Sequence, residues 1–352
     1  MHLVKNACRN IFKYRRKLLS TAFRCTPKHF GTSQSSQFLR ILFFGTDNFS
    51  LPSLQILNKS VKHCGTVSSL EVVTSFKAKR NPLKQYAEAE NLPLHDWPME
   101  NPATIAKNFD LGVVVSFGHL IPENLISSFR LGMLNVHASL LPKLRGAAPI
   151  VHAIKNGDVE TGVSIMKIKP KHFDIGEILK QEKVVITKDM LMPELHQQLA
   201  NLGATALLHC VDNLDFVYSN QLIQDNQKAT YAPKIDPQFA EVRWSEMGAK
   251  QVYDLYRSLY SYKALTTRFC HGEQVKLFRL HFDDNDGSHD CLPPGHIQYC
   301  RRKKRLRVCC NDGRLVDVDQ LSIGGKKMMN AQEFYNGFLS KLTVEERMFR
   351  SR

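Results

Sequence analysis

Residues 132–149 read G-M-L-N-V-H-A-S-L-L-P-K-L-R-G-A-A-P. The apolar run at 133–137 ends in a turn rich in Pro, Gly and Arg, so it reads as a strand that stops where a loop begins. In an extended segment, residues two apart point to the same side. Asn135 and His137 therefore project together at the strand end. One offers an amide N–H, the other an imidazole that is neutral or charged near pH 7. Such a pair can hold a carbonyl oxygen that is becoming an oxyanion. Downstream, K-H-F-D-I-G at 171–176 adds a carboxylate, Asp174, beside a glycine turn.

Short β-rich runs also lie at 38–44, 70–74 and 110–117, with helical patterns between them, such as Leu51, Leu54 and Leu57. Strands alternating with helices imply a parallel α/β sheet, in which ligands bind beyond the carboxyl ends of the strands. Gly45, Phe117, Gly118, Asn135 and His137 all sit at such ends and gather at one edge. The turn G-T-D-N-F at 45–49 is not G-x-G-x-x-G, which argues against a dinucleotide site. Further strands are expected at 161–168 and 178–186, then one long amphipathic helix at 192–217. A polar, turn-rich connection follows at 222–236. Beyond it the chain reads as a helix over 244–259, β-rich stretches at 266–282, 306–310 and 314–321, and a late helix near 331–339. The pattern implies a presequence at 1–37, a catalytic α/β domain at 38–215, a linker at 216–236 and a smaller, mostly β domain at 237–352.

The net charge of +15 over 352 residues is unevenly placed. Residues 1–40 hold nine Lys and Arg and no acid, residues 237–352 carry +6, and the middle is neutral. The leader is basic, acid-free and amphipathic, and it dissolves into G-T-S-Q-S-S at 31–36, the character of a mitochondrial presequence. It has no uninterrupted apolar core of the secretory kind; a basic tail that binds nucleic acid is the other reading. No apolar run is long enough to span a bilayer, so a membrane partner is not expected. The nine cysteines show no C-x-x-C and no zinc spacing, and are read as packing residues in a reducing compartment. Arg301, Arg302, Lys303, Lys304, Arg305 and Arg307 put six cations in seven residues. A charge run is usually a solvated loop; in a positive domain beside a neutral one, this run points to RNA phosphates, with Lys234 and Arg145 as further contacts.

N-x-H, then S-L-L-P-x-x-R-G-x-x-P, then D-x-G about 37 residues after the histidine resembles the signature of folate-dependent formyltransferases. F-G-T-D-N-F at 44–49, V-S-F-G-H-L-I-P at 115–122 and A-T-Y-A-P-K at 229–234 extend the match over roughly residues 39–340. Within that superfamily the chain is most similar to methionyl-tRNA formyltransferases of the mitochondrial kind. The resemblance implies a Rossmann-like parallel-sheet domain followed by an OB-like barrel, a shape used for oligonucleotides. It implies 10-formyltetrahydrofolate as formyl donor, methionyl-tRNA as acceptor, no metal, a monomer, and residence in the mitochondrial matrix. It makes Asn135 a donor to the oxyanion, His137 a stabiliser and proton relay, and Asp174 the group that orients His137 and takes the amine proton. By the same resemblance Phe117, Gly118, Leu120, Ser139, Leu140, Leu141 and Pro142 line the folate pocket.

Taken singly, each residue has a plainer reading: Asn135 as a turn cap, His137 as a satisfied structural histidine, Asp174 as a turn aspartate. Their spacing as a set favours chemistry. Metal hydrolysis by His119, His137, His152 and Asp174 is disfavoured, because no ligand pair at helical spacing appears. The rivals are a formyltransferase for a sugar or nucleotide amine, a formyltetrahydrofolate hydrolase, and a catalytically idle mitochondrial RNA-binding protein. The basic β domain, Tyr231 in the linker and the leader argue against the first two, and the intact trio against the third.

Overall fold

The computed structural model describes residues 38–77, 80–284 and 292–351. The leader expected at 1–37 lies outside the described residues. The first part of the chain runs β1 (Leu39–Gly45), α1 (Leu51–Lys62), β2 (Val67–Thr74), α2 (Pro82–Ala89), β3 (Leu94–Asp96), α3 (Pro102–Ala106), β4 (Leu111–Val115), α4 (Glu123–Ile126), β5 (Met133–His137), α5 (Pro149–Lys155), β6 (Glu160–Lys167), β7 (Ile178–Val185), α6 (Met192–Asp212) and α7 (Leu214–Ser219). The strands form one sheet in the order β3-β2-β1-β4-β5-β6-β7. From β3 to β5 all pairings are parallel. β5–β6 and β6–β7 are antiparallel.

Alternation along β1 builds two cores. Ile41 and Phe43 enter a layer with α1, α2 and α6, while Leu42 and Phe44 enter a second layer with Phe109, Phe117 and Leu125. Burial on both faces explains why the central strands read as continuous apolar runs. Helix starts follow from local chemistry: Pro82 begins α2, and the Asn81 side chain accepts from the backbone N–H groups of Leu83 and Lys84.

The second part holds α8 (Ala249–Leu259), β8 (Leu265–Phe269), β9 (Gln274–His281), β10 (Ile297–Cys300), β11 (Arg305–Cys309), β12 (Leu315–Ile323), β13 (Met329–Asn330), α9 (Ala331–Gly337) and β14 (Phe349–Arg350). Its sheet is antiparallel, in the order β10-β11-β12-β9-β8-β14 with β13 on β12. Backbone bonds from Ile297 N to the Arg347 carbonyl (2.7 Å) and from Phe349 N to the Gly295 carbonyl (2.8 Å) close the two ends on each other. The core inside is built on Trp244, Phe269, Phe334 and Phe349.

Two expectations are corrected and a third is met in more detail. The helix expected over 192–217 is two, broken at Asn213, whose side chain donates to the His209 carbonyl. That break puts α7 across the domain edge expected at 215. The helix expected from 244 starts at Ala249, because Trp244 turns inward to donate to Thr267 Oγ1 at 2.9 Å. The β-rich stretch at 266–282 is a hairpin that turns at Cys270–Glu273.

Candidate active site

β5 ends where the sheet changes from parallel to antiparallel. That seam places Asn135 and His137 beside the loop joining β6 to β7, which carries Asp174. His137 is buried, and its Nε2 lies 3.0 Å from the Leu144 carbonyl oxygen. A carbonyl only accepts, so Nε2 carries the hydrogen and Nδ1 is turned toward Asp174. Nδ1 is 3.6 Å from Asp174 Oδ1, within ion-pair range but longer than a hydrogen bond. The other carboxylate oxygen accepts from the Gly146 backbone N–H at 2.8 Å.

Two glycines permit this arrangement. Gly146 has φ +116, and a Cβ there would lie 2.7 Å from the Ala232 carbonyl oxygen. A Cβ on Gly176 would lie 1.7 Å from the Lys167 carbonyl oxygen, so the backbone of the aspartate loop passes too close for any side chain. Asp174 itself adopts φ +55, a left-handed conformation that costs a non-glycine residue on the order of 1 kcal/mol and persists only where its surroundings hold it.

A cleft of about 290 Å³ is lined by Asn135 and Asp174, with His137 buried beside Asp174 rather than in its wall. Val114, Ile121, Ile126, Met166 and Ile168 form apolar walls; Asn135, Asp174, His119, Lys169 and His172 supply polar atoms, and exposed Leu120 and Phe173 stand at the mouth. The Asn135 amide lines this cleft and has no hydrogen-bond partner among the described residues. Lys169 pairs with Glu177 at 2.5 Å. Burial alone would raise the Glu177 carboxyl, but the Lys169 hydrogen bond and charge hold it below its ordinary range.

Of the residues expected to line the folate pocket, Leu120 is at this cleft. The others, Phe117, Gly118, Ser139, Leu140, Leu141 and Pro142, are not in its wall. Phe117 is packed edge-on to Phe44 and Trp97 behind the wall. Gly118 (φ +72) turns the chain after it. Ser139 is fully buried and donates to the Lys143 carbonyl; Leu141 is buried against Met166 and Ile178, and Leu140 and Pro142 sit in the same turn. These residues shape the loop around His137, while β6 and residues 168–173 supply the opposite wall.

The expected RNA contacts divide. Arg145 is buried, with Nε and a terminal nitrogen 3.1 and 2.7 Å from Gln224 Oε1 and a further bond to Asn226 Oδ1 at 2.9 Å, so its guanidinium is engaged within the protein. In the basic run, Lys303 lies 3.2 Å from Asp317, and Arg305 and Arg307 face Asp317 and Asp319. Arg301, Arg302 and Lys304 are exposed on the β10–β11 turn, and Lys234 is exposed in the linker.

The segment at 224–232 is bonded to the loop that follows His137: A-T-Y-A-P-K at 229–234 is part of the family resemblance, while residues 224–228 carry no sign of it. Thr230 Oγ1 accepts from Leu144 N at 2.8 Å, Arg145 N donates to the Thr230 carbonyl at 2.8 Å, and Ala232 N donates to the Arg145 carbonyl at 2.7 Å. A buried glutamine, Gln224, stands at the centre of these contacts; in the sequence it is simply the first of five polar residues after Leu222 and Ile223, with nothing to mark it as buried.

An open α/β sheet with an amide, an imidazole and a carboxylate at one cleft defines a group-transfer enzyme acting on a carbonyl. Residues 39–211 match the model for formyl transferase, and residues 234–339 match that for the formyl transferase C-terminal domain. The mitochondrial methionyl-tRNA formyltransferases of Homo sapiens and Rattus norvegicus are each 39% identical over 310 residues, covering 85% of this chain and 78% of theirs. The methionyl-tRNA formyltransferase of Coxiella burnetii is 31% identical over 322 residues, covering 88% of this chain and 99% of its own. The chain belongs to the methionyl-tRNA formyltransferase family. Among solved structures it is similar to WlaRD, a sugar 3N-formyl transferase solved with dTDP and 5-N-formyl-THF (TM-score 0.59, 16% identity, 82% of this chain and 99% of that one). It is also similar to the N-formyltransferase of Helicobacter canadensis in complex with folinic acid and dTDP-3-aminofucose (0.59, 15%, 80% and 98%). At these identities the likeness is one of fold.

Proposed function

We propose that this chain transfers a formyl group from 10-formyltetrahydrofolate to the α-amine of methionine esterified to tRNA, as a monomer in the mitochondrial matrix. The observation that carries this reading is that Asn135 and Asp174 line one cleft and His137 backs Asp174 at 3.6 Å, in a chain whose relatives are methionyl-tRNA formyltransferases. The cleft suits a flat, partly polar ring: its walls are apolar, its polar atoms gather at one end, and its volume is near the lower bound for small-molecule sites. Val114, Ile121, Ile126 and Met166 would hold the folate, which supplies an activated formyl carbonyl.

The residues divide the work. Asn135 donates its amide N–H to the carbonyl oxygen as that oxygen gains charge. Asp174 accepts the amine proton, directly or through one water, with the Gly146 N–H keeping its carboxylate aimed. His137, its Nε2–H committed to Leu144, presents Nδ1 to that carboxylate. One proton between the two relieves the repulsion of facing lone pairs, so the pair stores the amine proton and returns it to the departing nitrogen. Arg301, Arg302, Lys304 and Lys234 would meet tRNA phosphates, contacts that position without reading sequence.

The test is incubation with methionyl-tRNA and 10-formyltetrahydrofolate, followed by mass analysis of the released amino acid. Formylmethionine is expected; unmodified methionine alone sinks the reading.

A further inference from the structure

Gln224 lies 50 residues after Asp174, in the segment that leaves the catalytic sheet, and is buried. Its Nε2 donates to the carbonyl oxygens of Asp174 (2.9 Å) and Gly176 (2.8 Å), and its Oε1 accepts the two Arg145 bonds. The amide orientation is chemically forced, because carbonyls only accept and a guanidinium only donates. Both N–H groups and the carbonyl oxygen are thus engaged.

We propose that Gln224 is a positioning residue for formyl transfer: it pins the backbone on both sides of Ile175 and so holds Asp174 in the conformation that aims its carboxylate at His137. This rests on the function proposed above. Three observations join in it. Asp174 occupies a left-handed conformation that its surroundings must maintain. The Gly146 N–H that orders the carboxylate follows Arg145 directly, so one glutamine fixes both the aspartate and the strand that orients it. The backbone at Gly176 runs so close to Lys167 that no side chain fits, so the loop beside Asp174 is held tight against β6 where Gln224 grips it. Arg145, expected to touch RNA, is the cation that orients the Gln224 amide.

The variants are Gln224→Glu and Gln224→Met in the full chain. Gln224→Glu keeps the size and strengthens the Arg145 contact, yet presents an oxygen to two carbonyls. Gln224→Met keeps the volume and removes every bond. Displacement of a catalytic group by about an ångström costs up to roughly 10²-fold in rate. Both variants are therefore expected to lose roughly 10- to 100-fold in kcat, with KM for the folate and for methionyl-tRNA within about twofold of the parent. Gln224→Glu should do so while melting within a few degrees of the parent. Combined with Asp174→Asn, Gln224→Glu should add almost nothing to the loss, since a residue acting only through Asp174 has nothing left to position. A kcat within twofold of the parent for Gln224→Glu, or a loss that multiplies with that of Asp174→Asn, overturns the proposal. The unmutated chain is assayed beside them: if it forms no formylmethionine, the function fails rather than the positioning role.

Discussion

Arg257 and Asp254 hold each other at 2.6 Å with both side chains almost wholly out of water, and Arg257 also donates to the Met190 carbonyl at 2.8 Å. The pair belongs to α8, which packs on α5, so a buried ion pair on the barrel side grips the loop that leaves β7. Removing one partner strands a buried charge, and Asp254→Ala should lower unfolding free energy by about 3 kcal/mol. An apolar pair, Asp254→Leu with Arg257→Met, should recover much of that loss. Denaturant midpoints decide it: a single-variant loss below about 1 kcal/mol would mean the pair does not secure the seam.

Asp174→Asn should lower kcat by ~10² or more while leaving the fold intact, the scale of a lost proton acceptor. His137→Ala and Asn135→Ala should each do the same, and double variants should fall well short of multiplicative. Near-normal turnover by Asp174→Asn would falsify its role.

Neutralising Arg301, Arg302 and Lys304 should raise KM for methionyl-tRNA and leave KM for the folate unchanged. The slope of log K against log salt should flatten by roughly 0.7 to 0.9 for every phosphate that is no longer neutralised. Lys303→Gln should act on stability instead, since Lys303 is 3.2 Å from Asp317. An unchanged salt slope in the triple variant would move the tRNA path toward Lys234.

Asp110 links the start of β1 to β4 through Arg40 and Arg130. The Arg40 hydrogen bond, opposed by burial and aided by the Arg40 backbone N–H and by Arg130, holds the Asp110 carboxyl down at about 2. A depressed carboxyl stabilises the fold above its unfolded value near 3.8, and that contribution is lost as pH falls from there toward 2. Asp110→Asn should therefore be less stable than the parent at about pH 6 and show a shallower fall between about pH 4 and 2. Parallel stability curves for the two chains would refute the linkage.

A chain beginning at Gln37 should keep full activity in vitro and fail to enter mitochondria, because the acid-free basic leader precedes β1. Microscopy and fractionation of cells expressing both forms test it; equal import of the short form would contradict the presequence reading.

Legibility in the sequence follows the strength of local pattern. The strand expected at 133–137 is β5 as observed, since an apolar run closed by Pro and Gly leaves little freedom at either end. β3, β10 and β14 leave no such mark: they span two to four residues of mixed polarity and exist only because a neighbour offers free backbone groups. His137 and Asp174 are legible because they lie beside turns marked by Pro and Gly, and Asn135 because it stands two residues before His137 on the same strand. The far wall of the cleft is not, since Met166 and Ile168 become its lining only when β6 returns antiparallel beside β5. Gln224 is hidden for a related reason: two of its partners are backbone carbonyls, which carry no residue signature, and the third, Arg145, is 79 residues away.

The stapling of residues 142–148 by residues 224–232 bears on how this enzyme can be taken apart. A fragment ending at Asp212, where the sheet and its last long helix are complete, would keep the whole trio and lack the groups that hold it in register. Such a piece would be a well-packed but misaligned shell. The smallest transplantable unit runs on to Pro233, so exchange of barrels between relatives should be cut after that residue, not where regular structure ends. Modularity here follows the hydrogen bonds of an irregular strap and ignores the boundary of the sheet.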